Sequence, residues 1–257
     1  MKLEAILFTQ GFGSRRQCRA LITAGAVRID AMARTDPGAD FDTAGLTFEV
    51  GDAAWRFRDK AYLMLHKPGA YECSRQPQHH ASVFSLLPAP LLARGVQCVG
   101  RLDQDTTGLL LLSDDGGFVH ALASPKRKVP KIYVAGVRHP LDDVQLQALR
   151  TGVLLHGETL PSRACAARAL DTHTLELTIA EGKYHQVKRM VAAAGNRVET
   201  LHRQAVGALA LPPDLAPGHW RWLDERQLAQ AREGSVGDDP VDDPEGLPPL
   251  APDGDKS

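Results

Sequence analysis

The sequence contains no apolar run near the roughly 20 residues that a membrane-spanning helix needs, and its first residues lack the long apolar core of a secretory signal. Its four cysteines, Cys18, Cys73, Cys98 and Cys165, lie far apart, with neither metal-ligand nor disulfide spacing. These absences point away from a membrane partner, an oxidising compartment and a structural metal. They predict a reduced, cytoplasmic protein; a monomer is expected.

The 257 residues have room for one large domain or two unequal ones. Hydrophobic content of 43% and charged content of 24% are ordinary for a globular chain. The net charge of −1 hides an uneven distribution. Residues 233–257 hold eight acids and one base, are rich in proline and glycine and have no aromatic residue, which predicts a solvated, disordered extension. The preceding 232 residues keep 23 acids and 29 bases, a net of +6 that suits a polyanionic partner.

The stretch from Val99 to Phe118, VGRLDQDTTGLLLLSDDGGF, draws attention first. Leu109 to Leu112, bounded by Gly108 and by Asp114-Asp115-Gly116-Gly117, read as a strand buried on both faces, followed by a turn. The polar loop before it sets Arg101, Asp103 and Asp105 against the driest part of the domain. Charges beside a core are costly unless paired or used. Asp103 is therefore either half of a structural ion pair or a catalytic acid, and Asp105 can be a simple turn residue bonded to nearby backbone N–H groups.

Near the N-terminus, SRRQCRALITA predicts a short helix over residues 14–24. Ser14 and Gln17 have capping-box spacing, and Gly25 can end the helix in a left-handed conformation. Cys18, Leu21 and Ile22 share one face and Arg15, Arg16 and Arg19 the next. A strand follows at Ala26 to Ile29. Five arginines against the single acid Asp30 in residues 14–34, Arg28 among them, form either a solvated face or a cationic one sized for a phosphate backbone. SRRQCRALITAGAVRID resembles the S4-like RNA-binding domain. Many members have Asn-Gly or Asp-Gly after the strand, and Asp30-Ala31 here weakens the hairpin signal.

Further strands are expected at Leu46 to Val50 and from Tyr62, the latter cut by Pro68-Gly69, with a linker near Asp59. The adjacent His79 and His80 have no partner at ligand spacing and are not read as a metal site. Lys126, Arg127, Lys128 and Lys131 crowd six positions between and after two prolines and lead into the strand Ile132 to Val137. A basic loop feeding a tyrosine-bearing strand suits RNA, although Tyr133 can equally be core. A helix at Asp142 to Arg150 and strands near Val153 to Leu155 and Thr174 to Ile179 read as scaffold. In EGKYHQVKRMVAAAGN, Val187, Met190, Val191 and Ala194 mark one face of a helix running from near His185 to Gly195-Asn196. Lys183, Lys188 and Arg189 then cluster at its positive end, a conflict that a carboxylate, a phosphate or both would resolve.

Taken together, GRLDQDTTGLLLL, KIYVAGV and EGKYHQVKRM resemble the three signature segments of the pseudouridine synthases. The likeness is closest to the small-ribosomal-subunit branch, the 16S rRNA pseudouridine(516) synthases. It implies an α+β protein: a small S4-like α/β RNA-binding domain and linker over residues 1–59, a catalytic domain over 60–231 with a central mixed, largely antiparallel sheet and flanking helices, and the acidic disordered tail over 232–257. It assigns Asp103 as the catalytic aspartate, Arg101 as the residue holding the nucleotide out of the stack, Tyr133 and Val187 as walls of the uracil slot, and Lys188 as the cation beside the aspartate. Arg15, Arg16, Arg19, Arg28, Lys126, Arg127, Lys128, Lys183 and Arg189 would meet RNA.

The implied reaction breaks the bond from uracil N1 to ribose C1′, turns the base and rejoins it through C5. Nothing is oxidised or added, so neither cofactor nor metal is expected. One carboxylate suffices, attacking C1′ or removing the C2′ proton, and a lysine within about 4–6 Å would favour its ionised form. The implied partner is ribosomal RNA, 16S in an assembling small subunit, with a 23S substrate or a non-catalytic assembly factor as alternatives. Asp103-Gln104-Asp105 is also a D-x-D, as in metal-dependent glycosyltransferases, but no glycine-rich phosphate loop accompanies it.

Overall fold

The computed structural model describes residues 1–234. From residue 235 on, the acidic segment lies outside the described residues, and Arg232 closes the last helix, Glu225–Arg232.

The N-terminal unit sets two helices, Leu3–Thr9 and Arg15–Thr23, on a four-stranded sheet. Ser14 and Gln17 form the expected capping box, and Gly25 takes φ +70 just beyond the helix. Cys18 and Ile22 are fully buried against Leu3, Ile6, Leu7 and Val27. The hairpin that Asp30-Ala31 weakened in the sequence does form. Val27–Ile29 pairs with Met32–Arg34 across a turn in which Asp30 and Ala31 take φ +54 and +61. A left-handed alanine costs roughly 1–2 kcal/mol. Val27 and Ile29 hold their strand in the core, and its other edge is paired to Thr47–Val50, so tertiary contacts override the turn preference.

The larger unit is built on a nine-stranded sheet. Its main spatial order is Ala166–Asp171, Thr174–Ile179, Lys131–Val137, Val198–Val206, Thr107–Ser113, Tyr62–Lys67 and Trp220–Trp222. Its described pairings are antiparallel except that of Val198–Val206 with Thr107–Ser113. The leucine run lies near the middle, with Leu109 to Leu112 all at 0% exposure. Leu110 and Leu112 join one core and Leu109 and Leu111 the other, so the strand is buried on both faces as its composition predicts.

Two local expectations change. Asp114 to Gly117 is more than a turn: Asp115 accepts from the backbone N–H of Gly117 and Phe118 at 2.9 and 3.3 Å and caps the helix Gly116–Ala123. A cap of this kind outweighs the poor helix propensity of two glycines. Val153 to Leu155 does not form a strand but a single bridge from Val153 to Ser162, because no second pair of residues extends the ladder.

The two units meet on a bonded junction. The buried Arg94 donates to Asp114, to the Gln10 side chain and to the carbonyls of Arg58 and Asp59, all within 3.0 Å. The expected linker near Asp59 is thus a docked segment.

Candidate active site

The loop between Gly100 and Thr107 is held from three sides. Beneath it, Lys67 ends the strand Tyr62–Lys67 at 0% exposure. Its Nζ donates to the carbonyls of Thr106 at 2.9 Å, Pro68 at 3.0 Å and Gln104 at 3.1 Å. Burial pushes this ammonium below the ordinary lysine value, while the nearby cysteines and the carboxylates of Asp105 and Asp103 act against that push. Behind the loop, the Leu102 N–H donates to Cys73 Sγ at 3.5 Å and the Leu102 side chain is buried. Within it, the Thr106 N–H closes a turn on the Asp103 carbonyl at 3.1 Å.

The strand that follows approaches its parallel neighbour closely. Gly108 has φ +106, and a Cβ there would lie 2.3 Å from the Arg203 carbonyl oxygen. Any other residue would push the two strands apart and move the loop with them.

Asp103 therefore projects from a fixed backbone to the rim of a recess. Arg101, Leu102, Thr106, Tyr133, Ile179, Val187 and Leu201 line its walls. Tyr133 comes from the strand Lys131–Val137, Val187 from the helix Gln186–Ala193, and both are buried. Arg101 makes no ion pair among the described residues. The Asp103 carboxylate is 29% exposed, with Lys188 Nζ at 3.5 Å from one oxygen and His185 Nε2 at 3.4 Å from the other.

Lys188 is shared. Its Nζ is closer to Asp105, at 2.6 and 2.8 Å from the two carboxylate oxygens. Asp105 is thus an ion-pair partner rather than a plain turn residue. Burial raises its carboxyl, but the Lys188 hydrogen bond and charge prevail and hold it below the ordinary aspartate value.

The other cations at the start of the helix are also met by acids. Lys183 lies 3.3 Å from Glu158 and 3.7 Å from Glu181, and donates to Ser162 Oγ at 3.1 Å. Arg189 lies 3.6 Å from Glu158. Carboxylates resolve the dipole conflict, and Lys188 alone of the three faces Asp103. Lys128, which takes φ +51 after the short turn Pro125–Arg127 that carries Lys126 and Arg127, is not among the residues lining the recess. It lines a shallow groove with Arg163 and Lys183.

Arg15, Arg16, Arg19 and Arg28, the four arginines of the N-terminal unit expected to meet RNA, line neither the recess nor the neighbouring cleft that Asp103 also borders. Arg19 is paired with Glu4 and Arg28 with Glu49, and Arg15 lies 4.8 Å over the Phe8 ring, with Arg16 exposed beside it. His79 and His80 turn their backbone N–H groups to the Glu72 carboxylate at 2.8 and 2.9 Å.

Two residues of the site, Lys67 and His185, are not among those the sequence singles out. The signal for Lys67 was a lysine closing an otherwise apolar strand just before Pro-Gly, a position that demands a buried partner. The sequence marks His185 only as a helix start; in the structure it has φ +49 and its ring lies 3.4 Å from Asp103.

The chain is similar to known proteins in sequence and fold. A family model described as RNA pseudouridylate synthase matches residues 61–193, and one described as S4 domain matches residues 1–40. An uncharacterized RNA pseudouridine synthase of Bacillus subtilis (strain 168) is 37% identical over 231 residues, spanning 89% of this chain and 97% of that protein. The ribosomal small subunit pseudouridine synthase A of Pasteurella multocida is 42% identical over 168 residues, 65% of this chain and 72% of its own. That of Escherichia coli (strain K12) is 41% identical over the same length and shares. A crystal structure of a pseudouridylate synthase matches with a TM-score of 0.64 and 32% identity, covering 90% of this chain and 99% of that one.

Proposed function

The chain belongs to the RNA pseudouridylate synthases, in the small-ribosomal-subunit branch with an S4 domain, and from that premise we propose that it isomerises one uridine of 16S rRNA with Asp103 as the catalytic carboxylate. It is an isomerase acting on RNA. The observation that carries the finer reading is the position of Asp103. Its carboxylate stands on a loop pinned by Lys67, beside Lys188 and His185, at the rim of a recess walled by Tyr133 and Val187.

In this reading the target uridine leaves its stack, at a cost of a few kcal/mol, and its uracil enters the recess between Tyr133 and Val187. Arg101 holds the displaced strand. Asp103 acts at the sugar, by attack at C1′ or removal of the C2′ proton, the N1–C1′ bond breaks, and the freed uracil turns between two dry walls; C5 then bonds to C1′ and loses its proton to solvent, while N1 takes one up. Excluding water protects the opened sugar from capture. Lys188, shared by Asp103 and Asp105, supplies positive charge without being consumed, and the chemistry calls for no cofactor.

Lys183 lines the recess, and in this reading it contacts phosphates together with Lys126, Arg127, Lys128 and Arg189. The S4-like unit, with its linker over residues 1–59, brings Arg15, Arg16, Arg19 and Arg28 to a more distant part of the RNA, while 60–231 carries the chemistry. Such an enzyme works as a cytoplasmic monomer on the assembling small subunit.

Mapping pseudouridines in the rRNA of cells lacking this protein tests the assignment. Loss of a single 16S pseudouridine is the expected result. Loss of a 23S pseudouridine would move the enzyme to the large subunit, and an unchanged map would favour a non-catalytic assembly factor.

A further inference from the structure

Asp103 borders two depressions, and only the recess has a part in the reaction described above. The other is an open cleft of about 560 Å3, lined by Tyr184, His185, Gln76 and Gln78 together with the charged Glu72, Asp105 and Lys188. Tyr184 is 76% exposed, the most exposed Phe, Tyr or Trp among the described residues.

A ring left in water is usually loosely held, but this one is not. It stacks on the His185 imidazole with centroids 3.8 Å apart and planes 19° from parallel. His185 is fixed in turn by its left-handed backbone and by Asp103, 3.4 Å away. The Tyr184 carbonyl accepts from Arg189 at 3.4 Å, so the backbone under the ring is tied down as well. One face of the phenol is covered by the imidazole and the other is free.

A rigid, planar, half-covered ring in a cleft that two side-chain amides also line matches the chemistry of an unpaired nucleobase. The ring offers stacking, which every base accepts, and the amides offer donors and acceptors for a base edge. Because the cleft and the recess share Asp103, a base in the cleft belongs to a nucleotide next to the one in the recess.

We propose that Tyr184, backed by His185, stacks a base flanking the isomerised uridine, and that Gln76 and Gln78 read the edge of that base. The cleft is then a second base subsite and helps to decide which uridine is chosen. This rests on the assignment of the uridine to the recess beside Asp103.

The test uses the full chain and a 16S fragment containing the mapped uridine, with 2-aminopurine placed in turn at each flanking position. Binding of wild type or Tyr184→Phe should quench the probe at one position, and Tyr184→Ala should bind without that quench. On unmodified RNA, Tyr184→Ala should lower kcat/KM about 10-fold, in line with the loss of one stacked base. It should cause no further loss on RNA with an abasic nucleotide at that position. The ring is exposed, so the variant folds. No quench at either position with wild type, or a quench unchanged in Tyr184→Ala, overturns the subsite. A quench without any pseudouridine formed by wild type would instead retain the subsite and overturn the catalytic reading.

Discussion

Replacing Lys67 by methionine should do more damage than removal of any exposed charge in the molecule. The side chain is fully buried, and its ammonium donates to three carbonyls, two of them in the loop that carries Asp103. Methionine keeps most of the volume and removes every donor. A buried carbonyl left unsatisfied costs about 1–3 kcal/mol; the Thr106 bond is buried and the Pro68 and Gln104 bonds are partly buried, so the three together cost at most roughly 3–9 kcal/mol. Against this stands the several kcal/mol no longer spent on desolvating an ammonium, a cost already visible in the lowered pKa of Lys67. The net destabilisation is then about 2–4 kcal/mol, or roughly a 1 M fall in the urea midpoint at an m of about 2–3 kcal/mol/M. The effect on turnover should be larger in proportion, because a loop displaced by about 1 Å can cost on the order of 100-fold in rate. Urea titration followed by circular dichroism, and single-turnover pseudouridine formation at a temperature where the variant is folded, measure the two effects separately. A Lys67→Met protein that is as stable as wild type and turns over at the wild-type rate would show that the three bonds do not set the loop.

Lys188→Met should reduce turnover by about 100-fold or more while changing RNA affinity only a few-fold, because this cation faces Asp103 and Asp105; equal losses in both would make Lys188 a phosphate contact only. Replacing Arg15 and Arg16 together by alanine should leave the chemical step intact and flatten the dependence of log K on log salt by about 1–2 units, and an unchanged slope would count against the arginine face. Lys131→Met should stabilise the fold at neutral pH. Burial, with Arg203 nearby, lowers the Lys131 pKa from 10.5 to about 8. The unfolded chain therefore binds more protons between about pH 8 and 10.5, and wild-type stability rises with pH through that window. The charge penalty is fully present below about pH 8. After discounting for partial exposure, it is worth about 1–2 kcal/mol. The advantage of the methionine variant in urea titrations should thus shrink from pH 7 to pH 10.5, and a constant advantage would show that packing, not charge, is responsible.

The parts legible in the sequence were those where one physical rule acts alone. A run of four leucines between turn residues reads as a strand covered on both faces, and its shortness favours a strand over a buried helix. Ser14 and Gln17 mark a helix start by their spacing, and the burial of Val187, Met190 and Val191 follows from helical period. The crowd of cations around Lys188 announced a negative partner before any coordinates. Misread parts were those in which distant residues decide. Asp30-Ala31 forms its hairpin because Val27 and Ile29 are locked in a core the local sequence does not reveal. Asp105 looked like a turn residue because its partner stands 83 positions away on another element. Lys67 and Cys73 act on the loop of Asp103 from different parts of the chain, and no short motif joins them to it. The stacked pair of Tyr184 and His185 depends on a left-handed backbone that composition does not predict.

The most direct measurement is tritium release from uracil-5-tritiated 16S rRNA by Asp103→Asn, with RNA binding measured by gel retardation on the same preparations. Asparagine keeps the shape at the recess rim and removes the charge. Binding within a few-fold of wild type with no detectable release is the predicted result. Release near the wild-type rate from a folded, RNA-bound Asp103→Asn protein would contradict the central role given to this carboxylate.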